Sequence, residues 1–113
     1  MTALRDTPCE ACRADSPRLD DGEIARLLAE VPGWEVVAEG DTPQLTRAFR
    51  FPDFRQALAF AQAVGDAAEA ADHHPRLVVE WGRVRVSWWT HAIGGLHRND
   101  FIMAARTDAL AAR

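Results

Sequence analysis

Pro75 restricts the fold of this chain more than any other residue. It follows a long alanine-rich stretch, "FRQALAFAQAVGDAAEAADHH", and is followed at once by "RLVVEW". Proline disfavours the helical region in the residue before it, so a helix running from about Asp53 to Asp72 must stop beside His73 and His74. Two imidazoles are thereby set at a helix-to-strand corner.

The other breakers divide the rest of the chain. Pro32-Gly33 stops a first helix that starts at Asp20 or Asp21 as N-cap and carries Ile24, Leu27, Leu28 and Val31 at three- and four-residue spacing. "WEVVAEG", a turn at "DTP" and "QLTRAFRF" then read as a hairpin, with Leu45, Phe49 and Phe51 on one face and Thr46, Ala48 and Arg50 on the other. Pro52 suits the first turn of the second helix, whose expected buried stripe is Phe54, Leu58, Ala61, Val64 and Ala68. "RLVVEW", a turn at Gly82 and "RVRVSWW" form a second hairpin, with Val84, Val86 and Trp88 alternating against Arg83, Arg85 and Ser87. "THAIGGLHRND" is a loop into a last helix, "DFIMAARTDALAA". The order is α-β-β-α-β-β-α. It predicts an α+β fold, a four-stranded antiparallel sheet with helices packed on one face.

At 113 residues the chain has room for one domain. Residues 1 to 18, with Pro8, Pro17 and no apolar period, are expected to form a flexible or surface-draped N-terminal leader before a single domain over 19 to 113. A net charge of -4 gives no general attraction to nucleic acid or to an anionic membrane, so neither is expected as a partner. The N-terminus lacks the apolar core of a secretory signal and no stretch is long enough to span a bilayer, so a cytoplasmic location is expected. Cys9 and Cys12 form a lone Cys-x-x-Cys in the leader. No second pair completes a zinc site and no strand precedes it as in a thioredoxin-like turn, so a peripheral role is expected, with an intermolecular metal or redox role as the other reading.

Titratable side chains gather at the ends of the second hairpin: His73 and His74 before it, His91 after it, and Asp100 at the start of the last helix. Taken singly, a histidine at a helix C-terminus is a dipole partner, and Asp100 is a first-turn acid. Taken together, on loops at the end of a rigid scaffold and beside Gly94-Gly95, they form a candidate site. Three histidines and a carboxylate also suit a metal, but adjacent histidines are awkward for one tetrahedral ion. His97 reads as an N-cap or surface residue, and Trp81 and Trp89 as core or interface aromatics.

Written out, the pattern is Glu69-x-x-x-His73-His74-Pro75, Trp81, Trp89-Thr90-His91 and Gly95-Leu96-x-x-x-Asp100. It resembles the pterin-4a-carbinolamine dehydratases, and the seventeen- and nine-residue intervals from His74 to His91 to Asp100 are similar to that family's spacing. The resemblance runs from the first helix to the C-terminus, and the "CEAC" leader is similar to the bacterial branch associated with phenylalanine hydroxylase.

The resemblance implies a hydro-lyase acting on 4a-hydroxytetrahydropterin, the product an aromatic amino-acid hydroxylase leaves behind. Loss of water gives quinonoid dihydropterin, and tetrahydrobiopterin is then recycled by reduction. It implies His73, His74 and His91 as the catalytic set, with no metal and no organic cofactor, since imidazoles can supply both the acid and the base. His74 and His91 are expected nearest the C4a–N5 bond, with His73 partly shaping the pocket. Substrate contacts carry over to Glu69, His73, His74, Pro75, Thr90, His91, Ala92 and Ile93, the last two through backbone. Glu69, one helical turn before His73, is placed to orient it or to bond a pterin nitrogen, and Asp100 is expected to orient His91. The expected partners are the pterin, further copies in a homodimer or homotetramer, and a functionally coupled aromatic amino-acid hydroxylase. The competing reading is a protein-interaction module, since animal members of the family also serve as a dimerisation cofactor.

Overall fold

The computed structural model describes residues 3–10 and 16–112, so Cys12 lies outside the described residues. The order is α1 (Asp21–Leu28), β1 (Glu35–Glu39), β2 (Thr42–Arg50), α2 (Phe54–Ala71), β3 (Arg76–Glu80), β4 (Arg83–Trp88) and α3 (Arg98–Ala111), with short 3-10 turns at Leu4–Asp6 and His91–Ile93. The expected α+β architecture is the one observed.

Local chemistry sets where each helix starts, and Pro52, expected in the first turn of α2, precedes its N-cap. Asp20 and Glu23 form a reciprocal capping box at α1, and the Asp53 carboxylate accepts from the Gln56 amide at the start of α2. The α3 helix begins earlier than its apolar run predicts, because the His97 ring accepts from the Asn99 amide and Asp100 accepts from the backbone of His97. The N-cap reading of His97 therefore holds.

The strands are antiparallel in the order β1-β2-β4-β3, so the two hairpins meet through β2 and β4 at the centre and leave β1 and β3 as edges. Leu45 and Phe49 of β2 join Val84, Val86 and Trp88 of β4 on the face covered by α2 and α3. The opposite face is polar: Thr46 lies beside Ser87 at 3.0 Å, and Arg76 reaches Glu39 at 3.7 Å. At the tip of the second hairpin Gly82 has a φ of +68°, and a Cβ there would meet the Phe51 carbonyl at 3.0 Å.

The α2 stripe needs one correction. Ala57, Phe60, Ala61, Val64 and Ala68 are buried, whereas Phe54 and Leu58 are 44% and 47% exposed. At 100° per residue, positions 54 and 58 fall on the shoulder of the row 57-61-64-68, and the narrow seam against the sheet and α3 does not reach them. Trp81 also departs from a core reading, standing 75% exposed on the β3–β4 turn.

The N-terminal segment is the larger departure from expectation. Phe101, Ile102, Met103 and Ala104 are four consecutive buried residues, which requires α3 to be covered all round. The sheet and α2 cover one side, and α1 and the Leu4–Asp6 turn cover the other. Leu4 itself is 5% exposed and belongs to the core. Residues 3–10, expected as a flexible leader, are held along α3 by side-chain bonds that no local pattern announces. Among the described residues no helix is long and apolar enough to cross a membrane.

Candidate active site

The end of α2 sets the direction of both tandem histidines. Asp72 adopts the left-handed conformation (φ 51°, ψ 43°), its N–H bonds the Glu69 carbonyl, and the His73 N–H bonds the Ala68 carbonyl at 3.1 Å. That is a Schellman termination with aspartate at the position glycine usually takes. The chain turns sharply there, so His73 and His74 are not helical neighbours and point to different surroundings.

His73 turns inward. Its Nε2 is 2.7 Å from Asp100 Oδ1, and its ring lies parallel to Trp88 with centroids 5.8 Å apart. Asp100 is fully buried, and its other oxygen accepts from the Thr90 hydroxyl and the His97 N–H, each at 2.9 Å. His74 turns outward, with Nε2 2.7 Å from Glu69 Oε1. Each orienting carboxylate therefore meets a different imidazole from the one the sequence reading gives it. Asp100 serves His73 and not His91, and Glu69 serves His74 and not His73. One helical turn separates Glu69 from His73 only while the helix continues, and it stops before either histidine.

His91 stands in the 3-10 turn after β4. Its Nε2 is 3.2 Å from the carbonyl oxygen of His74, and its ring stacks on Trp89 at 4.4 Å. Trp89 thus braces a histidine. The loop closes through Thr90 and Gly95, whose backbones pair at 2.9 Å, and through Gly94 at φ +58°. The space at Gly95 is taken by the Arg18 side chain, where a Cβ would stand 2.9 Å from Arg18 Cδ. Arg18 Nε donates to the Ile93 carbonyl at 2.7 Å.

All three imidazoles are held by the same nitrogen. A carbonyl oxygen can only accept, so Nε2 of His91 carries the proton it shares with His74. The carboxylates of Asp100 and Glu69 likewise call for Nε2–H donors. In the neutral form each ring then presents Nδ1 as a lone pair, and in the charged form Nδ1–H as an acid. Such a set can take up and deliver protons at fixed points.

These groups surround one cleft of about 580 Å³, a size typical of small-molecule sites. It is lined by Ala71, Asp72, His73, His74, Thr90, His91 and Ala92, together with Cys9, Glu10 and Asn99. Ile93, Pro75 and Glu69 do not line it. Ile93 is 7% exposed in the core, and Glu69 touches the cleft only through His74. Cys9, Glu10 and Asn99 are additions that sequence reasoning missed. Asn99 carries one signal in the sequence, an amide side chain between the His97 cap and the buried Asp100. Among the described residues no three His, Cys, Asp or Glu side chains converge as metal ligands would.

Fold and cleft together define a class: a small α+β protein with three tethered imidazoles at one cleft of small-molecule size. The chain belongs to the pterin 4 alpha carbinolamine dehydratase family, whose model matches residues 17–110. A relative from Gloeobacter violaceus, whose name assigns it provisionally as pterin-4-alpha-carbinolamine dehydratase 1, is 57% identical over 110 residues, covering 97% of this chain and 95% of its own. A crystal structure from Brucella melitensis, described as a transcriptional coactivator/pterin dehydratase, matches with a TM-score of 0.76 at 34% identity. That match covers 84% of this chain and 99% of the other. A pterin dehydratase-like protein identified as a RuBisCO assembly factor in the alpha-carboxysome matches at a TM-score of 0.59 and 28% identity, over 70% of this chain and 89% of its own.

Proposed function

We propose that this protein is a 4a-hydroxytetrahydrobiopterin dehydratase that removes water from 4a-hydroxytetrahydropterin by histidine acid-base catalysis. The C4a–O bond breaks as one imidazolium gives its Nδ1 proton to the leaving hydroxyl, which departs as water. The N5 proton passes to the Nδ1 lone pair of a second imidazole, and the C4a=N5 double bond of quinonoid dihydropterin forms. Proton balance is complete without a further reactant. His74 and His91 are the pair nearest the reaction, His73 shapes the pocket with Asp100 behind it, and Thr90 and Ala92 line the loop side.

The observation that carries the reading is the common Nε2 tether of three imidazoles around one cleft. Positioned acids and bases contribute about 10²- to 10⁴-fold each to such proton transfers. The test is to follow quinonoid dihydropterin appearing from 4a-hydroxytetrahydropterin generated by an aromatic amino-acid hydroxylase. Acceleration over the uncatalysed rate is expected, and none would reject the reading. Exhaustive chelation should leave the rate unchanged, whereas zinc-dependent rescue would move the mechanism to a Lewis acid.

The interaction-module reading draws on the coactivator and assembly-factor descriptions of the two structural neighbours. A complete histidine set favours the enzyme. The proposal extends to self-association, since edge strands β1 and β3 offer unpaired backbone. At least a dimer is expected by sedimentation at micromolar concentration, and a monomer would refute that part.

A further inference from the structure

The cleft is not closed by the histidine elements alone. Among the described residues a further wall is formed by Cys9 and Glu10, which reach the site from the far end of the chain. Asn99 holds it there from both sides: the Glu10 N–H donates to Asn99 Oδ1 at 3.0 Å, and Asn99 Nδ2 donates to the Glu10 carbonyl at 2.7 Å. Asn99 is 2% exposed, whereas Glu10 is exposed, so the two bonds of the clamp are half-buried and anchored on the core side. Further back, Arg106 secures the same segment, its Nε to the Arg5 carbonyl at 3.1 Å and its Nη2 to the Thr7 carbonyl at 2.8 Å, and Leu4 enters the core.

These contacts have a shared consequence. A flat bicyclic ligand in an open cleft is held on one side only, and a second wall adds contact without touching the reacting bond. We propose that residues 4–10 form a strap that completes the substrate site, and that Asn99 is a positioning residue which sets affinity for the pterin through that strap. The inference rests on the dehydratase reading and assigns to it a segment that carries none of the acid-base groups. Contact made equally with substrate and transition state changes KM and leaves kcat. Removal of the strap should therefore appear in binding.

The test uses two variants of the full chain that reach the strap from different places. Asn99→Ala removes the clamp at the cleft, and Arg106→Ala releases the segment behind it without touching any cleft residue. KM and the dissociation constant for a stable 7,8-dihydropterin are each expected to rise about tenfold, the scale of two ordinary hydrogen bonds lost from a wall. For Arg106→Ala, kcat should stay within about twofold of wild type. Combining the two should give little more than either alone, because both act by freeing one segment. If Asn99→Ala does not fold, Arg106→Ala decides. Unchanged KM and dihydropterin affinity in a folded variant overturns the inference, as does a fall in kcat at constant KM. A wild-type protein that neither turns over nor binds pterin overturns the dehydratase reading and this inference with it, whereas normal wild-type turnover with indifferent variants sinks the strap alone.

Discussion

Two histidine–carboxylate pairs stand one residue apart in this molecule and have the same length. His73–Asp100 and His74–Glu69 are both 2.7 Å, yet the side chains of the first pair are 9% and 0% exposed and those of the second 53% and 80%. The buried pair lies within a closed network in which Asp100 answers His73, Thr90 and the α3 cap together. The exposed pair has water as an alternative partner for both members. Distance alone therefore does not rank them. Burial converts the same contact from an adjustable tether into a fixed part of the scaffold.

The largest effect should come from the buried acid. Asp100→Asn removes the charge that accepts from the His97 N–H, the Thr90 hydroxyl and His73 together, and it should cost about 3 kcal/mol of stability, the upper end for a disrupted buried acceptor. Urea unfolding measures it, and a loss as small as that of the Glu69 variant would erase the distinction between the pairs.

Next is His73→Ala, which leaves Asp100 Oδ1 without its ring donor and removes the group stacked on Trp88. It should lower the dehydration rate and weaken pterin binding together, and it should destabilise by about 1–3 kcal/mol. Steady-state kinetics with thermal melting separates the two effects. Selective loss of rate with unchanged melting would show that burial does not set this residue's role.

His74→Ala and His91→Ala should each cost about 10²-fold or more in rate, at the low end for general acid-base groups. Both are exposed at element ends, so their melting curves should match the parent. Near-normal turnover in all three histidine variants would remove the site assignment.

Glu69→Gln should be the mildest. An exposed pair supports less than about a fivefold change in rate, and the melting temperature should not move. Raising ionic strength to about 1 M should reproduce most of that small loss in the parent protein, because exposed charges are screened there. The Asp100 network should be insensitive to the same salt.

The places where sequence and structure part follow the same line between local and long-range interactions. The hairpins, the cap at Asp20, the end of α2 and the set of three histidines are legible in the sequence, since each depends on neighbours within a few residues. Sequence separation could not tell which imidazole Asp100 would meet. Nine residues connect it to His91 and twenty-seven to His73, and it bonds the more distant one because β4 and α3 pack His73 against it. The first segment has no apolar period of its own, and nothing within it discloses Asn99 or Arg106 about a hundred residues away.

Sequence alone determined the element order, the corner at Pro75, the histidine constellation and the family resemblance, all of them carried by short-range periodicity, backbone restriction and motif spacing. Tertiary structure decided the strand order β1-β2-β4-β3, which carboxylate meets which imidazole, and the wall that Cys9 and Glu10 add to the cleft. Those features depend on which surfaces meet once apolar faces are buried. The partners are distant in the chain, and only the packed core brings them within hydrogen-bonding reach.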